Sequence, residues 1–263
     1  MISVVIPVFN REALIARAID SVLSQTLLAY EIIVVDDGST DNTPNILKSY
    51  HDKIRVITIA NSGVSKARNV GIKNSQGRWI CLLDSDDIWH PTKLEEQKRY
   101  HDKYPTIMIS HTAEKWIRND KEIKQKKAHQ KPFGWCFEEN LDFCKIAPST
   151  IMIEKSVFEK VGYFDEALEV CEDYDLWLRV LREYELGFVQ SVLTTKFAGH
   201  DDQLSFKHHS MDRFRIEALL KHKERTCVKE EIEKKCHILI KGAKKHGNKE
   251  IESYYEKVLL GLS

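Results

Sequence analysis

Between Ile2 and Leu83 apolar runs alternate with helical patterns, and this alternation constrains the fold more than any other feature. Ile2-Ser3-Val4-Val5-Ile6-Pro7-Val8 is β-branched and almost continuously apolar, as a strand covered on both faces would be. Pro7 has no ladder donor, so the strand is expected to stop there. A helix follows from about Arg11 to Ser24, with Leu14, Ile15, Ala18, Ile19, Val22 and Leu23 on one stripe. Glu31 to Val35, Ile54 to Ile59 and Trp79 to Leu83 supply three more strands. Pro44 opens a helix after the second strand, and Gly63 leads into one holding Lys66, Arg68 and Asn69 after the third. This order predicts an α/β fold, a Rossmann-like and mostly parallel sheet flanked by helices.

In such sheets ligands bind beyond the carboxyl ends of the strands. Asn10, Asp36, Asp37, Asn61 and the run Asp84-Ser85-Asp86-Asp87 all fall at such ends. Carboxylates crowded at the end of a buried strand need a compensating cation or solvent. Two readings of the run are open. One is a solvated cap for the helix entered through Pro91. The other is a hard-cation site, because Asp84-x-Asp86 projects two oxygens from one turn and suits a divalent ion shared with a phosphate.

Beyond Pro91 a charged helix is expected to about Tyr104, then a strand from Ile107 to Ser110 and a hairpin over Glu114 to Ile123 turning at Asn119-Asp120. Lys124 to Lys131 is basic without an apolar period and reads as a loop. A short helix over Gly134 to Leu141, a strand over Ser149 to Glu154 and a helix over Ser156 to Val161 follow. Tyr174 to Tyr184 is a helix with Leu176, Trp177, Val180 and Leu181 on its apolar stripe, which places Trp177 in the core. Helix capping explains one acid at its start, but not Glu172, Asp173 and Asp175 together. Gly187 to Val189 and Leu193 to Phe197 read as two short strands, and from about Met211 the pattern is helical, with breaks near Gly242 and Gly247.

A chain of 263 residues fits one large domain or a domain with an appendage. The expected division is 1–205, with halves of about 1–110 and 111–205, followed by a helical extension over 206–263. Lys+Arg and Asp+Glu balance at 40 each, so net charge points to no nucleic acid. Between Lys207 and Lys249, however, 13 basic residues face 6 acidic ones. That excess suits either solvated helices or peripheral contact with an anionic membrane or glycan. The six cysteines form no close CxxC pair, and no signal peptide is apparent, so reduced thiols and a cytoplasmic setting are expected. No apolar run approaches the roughly 18 to 20 residues that span a bilayer.

Val4-Val5-Ile6-Pro7-Val8-Phe9-Asn10, Val35-Asp36-Asp37-Gly38-Ser39-Thr40-Asp41, Lys66-Ala67-Arg68-Asn69-Val70-Gly71, Leu83-Asp84-Ser85-Asp86-Asp87 and Glu172-Asp173-Tyr174-Asp175 occur in that order. Together they resemble the family 2 glycosyltransferases of GT-A fold, over about residues 1–205. The resemblance implies transfer of a sugar, with inversion, from a nucleotide-sugar (commonly a UDP-sugar) to a hydroxyl of a glycan or lipid-linked acceptor. It implies that Pro7, Phe9 and Asn10 line the nucleotide pocket, that Asp37 bonds the base and that Arg68 reaches the nucleotide. Asp84 and Ser85 would face ribose and diphosphate, Asp86 would bind Mn²⁺ or Mg²⁺, and Asp173 would be the catalytic base.

Chemistry supports such a division of roles. A divalent ion bridging both phosphates stabilises the charge that develops on a leaving diphosphate. Because such ions keep several waters, one protein carboxylate suffices. An acceptor hydroxyl needs a positioned base, and direct displacement inverts the anomeric carbon. His200 follows a short strand and opens an acidic turn, a place for a second metal ligand, a diphosphate contact or a structural hydrogen bond. Asp87 is expected to cap the helix after Pro91, and Trp135 is a candidate for stacking on an acceptor sugar. A nucleotidyltransferase shares the sheet and the carboxylates, but it leaves Asp173 unexplained and calls for a Gly-rich basic loop that is missing near Asn10. A non-catalytic nucleotide- or glycan-binding scaffold has no use for the Glu172-Asp173 pair.

Overall fold

The computed structural model describes residues 1–124, 129–199 and 210–262. The strands are β1 (Ile2–Val8), β2 (Glu31–Asp36), β3 (Arg55–Thr58), β4 (Trp79–Leu82), β5 (Ile88–Trp89), β6 (Ile109–Arg118), β7 (Lys121–Ile123), β8 (Met152–Glu154) and β9 (Leu186–Phe197). They form one sheet in the order β3-β2-β1-β4-β8-β6-β9-β5, with β7 paired to β6. β1 to β4 are parallel, whereas β8 is antiparallel to both β4 and β6. The sheet is therefore mixed, with the expected parallel order confined to its first half and to the β6–β9 pair.

Side chains alternate across β1 with the period of a strand. Val4 and Ile6 share one apolar cluster with Ile15, Ala18, Ile19 and Val22 of α1 (Ile15–Leu23). Val5 belongs to the opposite cluster, with Ile72 of α3 (Val64–Asn74) and Trp177 of α6 (Glu172–Leu181). α2 (Thr43–Lys48), α4 (Lys93–Lys103) and α5 (Lys155–Val161) complete the helices of this part. α3 lies so close to β1 that a Cβ on Gly71 would sit 2.2 Å from Val5 Cγ1. α7 (Asp212–Leu220), α8 (Thr226–Lys245) and α9 (Lys249–Leu260) extend the second cluster, through Phe214, Ile216, Leu219, Val228, Ile232 and Cys236. By packing, then, the C-terminal helices belong to the body of the protein. No helix among the described residues is long and apolar enough to cross a membrane.

Several local expectations change. β1 runs through Pro7 to Val8, because the β4 ladder ends at Val5–Leu82 and no strand remains for the missing donor to serve. The two strands expected after Gly187 are one strand, β9, whose pairing with β6 shifts register around Ala113. Residues 134–141 form no α-helix. Gly134 bridges Leu186, and only a single 3₁₀ turn follows at Glu138–Asn140. Gly242 lies inside α8, while Gly247, at φ 67°, does separate α8 from α9. The hairpin turn at Asn119-Asp120 forms as expected, with both residues at positive φ.

Candidate active site

A cleft of about 870 Å³ opens at the carboxyl ends of the parallel strands. Pro7, Phe9, Asn10, Asp37, Arg68, Asp84, Ser85, Asp86 and Asp173 all line it. His200 lies outside the described residues. Trp177 is a core residue, 2% exposed, and its indole N–H donates to the Ile146 carbonyl oxygen at 2.9 Å. Trp135 is largely exposed and is not part of the cleft wall.

On the β1–β2 side the loops clasp one another. Asn10, at φ 50°, accepts the Thr40 N–H on Oδ1 at 2.8 Å, while its own N–H donates to Ser39 Oγ at 2.9 Å. The Asp37 carboxylate accepts the Ser62 and Gly63 N–H groups at 2.8 and 2.9 Å, which fixes the entry to α3. Burial raises the Asp37 pKa, and those two N–H groups oppose the rise. Each carboxylate oxygen keeps a second lone pair for a ligand donor.

The acidic turn is held mostly by its own surroundings. Ser149 Oγ donates to Asp87 Oδ2 at 2.6 Å and accepts the Asp84 N–H at 3.0 Å. Asp87 is thus buried at the floor of the turn and caps no helix. The N-cap of α4 is instead Thr92, whose hydroxyl donates to Glu96. Burial pushes Asp87 up to about 7, with Lys196 pulling the other way. Asp84 Oδ1 accepts from Arg68 Nη2 at 2.8 Å. Burial opposes its charge, but Arg68 and Lys196 outweigh that and hold it below the usual carboxylate range.

Arg68 serves two masters. Its Nη1 donates to Glu172 Oε1 at 2.7 Å, so the buried guanidinium joins the end of β4 to the start of α6. Burial and Asp173 raise the Glu172 pKa, and Arg68 opposes them. Cys171, at φ 63°, turns the chain into α6 in the left-handed region that disfavours a side chain. Asp173 follows and faces the cleft. Its Oδ1 accepts the Tyr174 N–H at 2.7 Å, and Cys144 Sγ donates to its Oδ2 at 3.4 Å.

Asp86 is the member of the turn best placed for a divalent ion. Its backbone oxygen accepts from Arg17 Nη2 at 2.7 Å, but among the described residues no other side chain hydrogen-bonds its carboxylate. Burial and the neighbouring Asp84 raise its pKa, the condition a bound cation relieves. Among the described residues no group of three or more His, Cys, Asp or Glu side chains converges on one point. Asp86 fits an ion that takes one carboxylate here and completes its shell with water and ligand oxygens.

Lys196, Ser149, Arg17 and Cys144 escape the sequence reading. A single lysine at the end of an ordinary strand and a serine in a loop carry no signal of their own. Only the pairing of β5 with β9 and the 3₁₀ turn at Pro148–Thr150 bring them to the cleft.

The fold is an α/β sheet with an acidic cleft beyond the carboxyl ends of its parallel strands. The sequence model of "Glycosyl transferase family 2" matches residues 3–162. An uncharacterized glycosyltransferase of Rickettsia typhi is 36% identical over 214 residues, covering 77% of this chain and 65% of the relative. The Escherichia coli UDP-Glc:alpha-D-GlcNAc-diphosphoundecaprenol beta-1,3-glucosyltransferase WfaP is 33% identical over 186 residues, covering 69% of this chain and 70% of the relative. Staphylococcus aureus TarS 1–349 in complex with UDP-GlcNAc superposes with a TM-score of 0.70 at 21% identity, covering 88% of this chain and 66% of TarS 1–349. That likeness shows a GT-A fold. The chain belongs to glycosyl transferase family 2. It spans 65% and 62% of the length of the relatives from Rickettsia typhi and Rickettsia prowazekii.

Proposed function

We propose that the protein is a metal-dependent inverting glycosyltransferase. It moves a sugar from a nucleoside-diphosphate sugar, a UDP-sugar by preference, to a hydroxyl of a glycan or lipid-linked acceptor. One observation carries this reading: Asp86, a carboxylate that no side chain hydrogen-bonds among the described residues, and a second, separately oriented carboxylate, Asp173, face the same cleft. The preference for uridine and for a lipid-linked acceptor is supported by what WfaP and the TarS complex are named for.

In this reading Asp37 and the loop it fixes at Ser62-Gly63 take the base, and Asn10 and Phe9 close the pocket beside it. Asp86 would hold Mn²⁺ or Mg²⁺, which when bound would supply Lewis-acid stabilisation to the departing diphosphate. Asp173 accepts the proton of the acceptor hydroxyl as its oxygen bonds the anomeric carbon and the bond from that carbon to the diphosphate oxygen breaks. The Tyr174 N–H holds one carboxylate oxygen before substrate arrives, and the Cys144 thiol, shared with the Ile146 carbonyl oxygen, lies against the other, so the carboxylate is already oriented. Arg68 acts as a positioning residue, because its two ion pairs tie the strand end of Asp84 to the helix start of Asp173.

Asp173→Asn tests the assignment. UDP binding with Mn²⁺, read by thermal shift, is expected to stay as in the wild type, while transfer falls by at least about a hundredfold. Unchanged turnover would remove Asp173 from the mechanism. A panel of UDP, GDP and dTDP in the same assay checks the choice of base, since a ligand selective for the native state raises its stability.

A further inference from the structure

The end of β9 holds a cation that the reading above does not use. β5 and β9 pair antiparallel with Ile88 opposite Thr195 and Trp89 opposite Thr194. Continued by one residue, that register sets Asp87 opposite Lys196. The Lys196 ammonium accordingly lies 3.3 Å from Asp87 Oδ2 and 4.0 Å from Asp84 Oδ2, over the Trp116 ring at 5.4 Å, with its side chain 16% exposed. It also lines the cleft beside Asp86.

We propose that Lys196 is a protein-borne cation for the diphosphate of the donor, and that it also confines the divalent ion to Asp86 by occupying Asp84 and Asp87. The proposal rests on the donor reading given above. An ammonium has three N–H donors, and among the described residues only the contact to Asp87 is short enough to engage one of them closely, with Asp84 and Glu114 acting on it from farther off. The remaining donors are left for a ligand anion in a partly desolvated cleft, where a fixed charge acts more strongly than in water.

Arg68 and Arg17, the other cations that touch the turn among the described residues, are committed elsewhere. Arg68 divides its guanidinium between Asp84 and Glu172. Arg17 donates to the Asp86 backbone oxygen and lies flat over the Phe197 ring at 3.9 Å. With Lys196 in place, two of the three carboxylates of the turn are already ion-paired, and Asp86 alone is left for a metal. Remove the ammonium and Asp84 and Asp87 regain their pull on any divalent ion. Lys196 thus opposes metal binding in the empty cleft and favours diphosphate binding. A residue that merely steadied the turn would do neither.

The two effects have opposite signs, and the full chain reports both. Wild type, Lys196→Met and Lys196→Arg are compared after thermal melts and near-UV circular dichroism establish that each is folded. In the first arm Mn²⁺ alone is titrated, followed by the loss of the free-ion paramagnetic resonance signal. Lys196→Met is expected to bind Mn²⁺ about tenfold more tightly than wild type, and Lys196→Arg to resemble wild type. In the second arm UDP and uridine are titrated calorimetrically in EDTA. Lys196→Met is expected to lose about tenfold in affinity for UDP with no change for uridine, and Lys196→Arg to retain most of it.

Unchanged or weaker Mn²⁺ binding by a folded Lys196→Met would overturn the confinement of the metal. Equal loss of UDP and uridine, or no loss of either, would overturn the diphosphate contact. If Lys196→Met does not fold, Lys196→Arg decides, since its longer, planar cation is expected to preserve both properties and a loss of either in it overturns the proposal. A wild type that binds none of UDP, GDP and dTDP would instead overturn the donor reading, and the Mn²⁺ arm would still judge Lys196 on its own.

Discussion

Lys93 shows how much a single buried charge governs. It has no exposure, its Nζ donates to Gln97 Oε1 at 2.6 Å and lies 4.1 Å from the centre of the Trp89 ring, and among the described residues it meets no carboxylate. Burial lowers its pKa to about 8. The unfolded chain holds that proton up to about pH 10.4, so between about 8 and 10.4 the unfolded state binds more protons and stability rises with pH. Urea unfolding at pH 7.5 and 9.5 is expected to show part of this gain, about 2 kcal/mol, in wild type relative to Lys93→Met. Equal pH dependence of the two would remove Lys93 as its source. The sequence marks Lys93 only as one charge on a charged helix. Asp37, Asp84, Asp86 and Asp173 were legible because acids just past buried strands or at a helix start have few structural reasons to cluster. Lys196, Ser149 and Cys144 were not, because their meaning comes from partners far away in the chain.

Elements were legible where one physical rule governs them and obscure where two compete. β1, β2 and β4 announce themselves as apolar runs, and α3 by the glycines around it. Gly71 has a second purpose, since its missing Cβ lets α3 rest on Val5 and so places Arg68 over the cleft. Gly71→Ala is expected to destabilise the fold by about 1–3 kcal/mol through overpacking, measured by urea denaturation. A variant as stable as wild type would show that α3 has room to move. β9 misled because its bulge opposite Ala113 interrupts the alternation that identifies a strand. β5 is too short to carry any period at all, and only its partner β9 defines it.

At the scale of the molecule, the basic excess of the C-terminal segment is partly consumed internally. Lys221 pairs with Asp165 and Asp175, Lys235 with Glu231 and Asp212, and Lys244 with Glu252. Its apolar side chains enter the core that Trp177 occupies. Deletion from Met211 is therefore expected to abolish cooperative thermal unfolding, seen by calorimetry, and with it UDP binding. A truncated chain with a sharp transition near that of wild type would show that the helices are dispensable. The alternation of strands and helices foretold the first half of the sheet, but not the mixed second half, which depends on long-range pairing of short strands.

The acidic turn also has a geometry that its chemistry conceals. It leaves β4 in the middle of the sheet and rejoins through β5 at the far edge, outside β9. Within it the Asp87 N–H donates to the Asp84 carbonyl oxygen at 3.0 Å, so residues 84–87 make a tight turn, and the sheet curls to bring β5 beside the end of β4. One residue more or fewer would move β5 by a register and turn Trp89 out of the core. The length of this turn is therefore tied to the curl of the sheet, whichever ligand it meets.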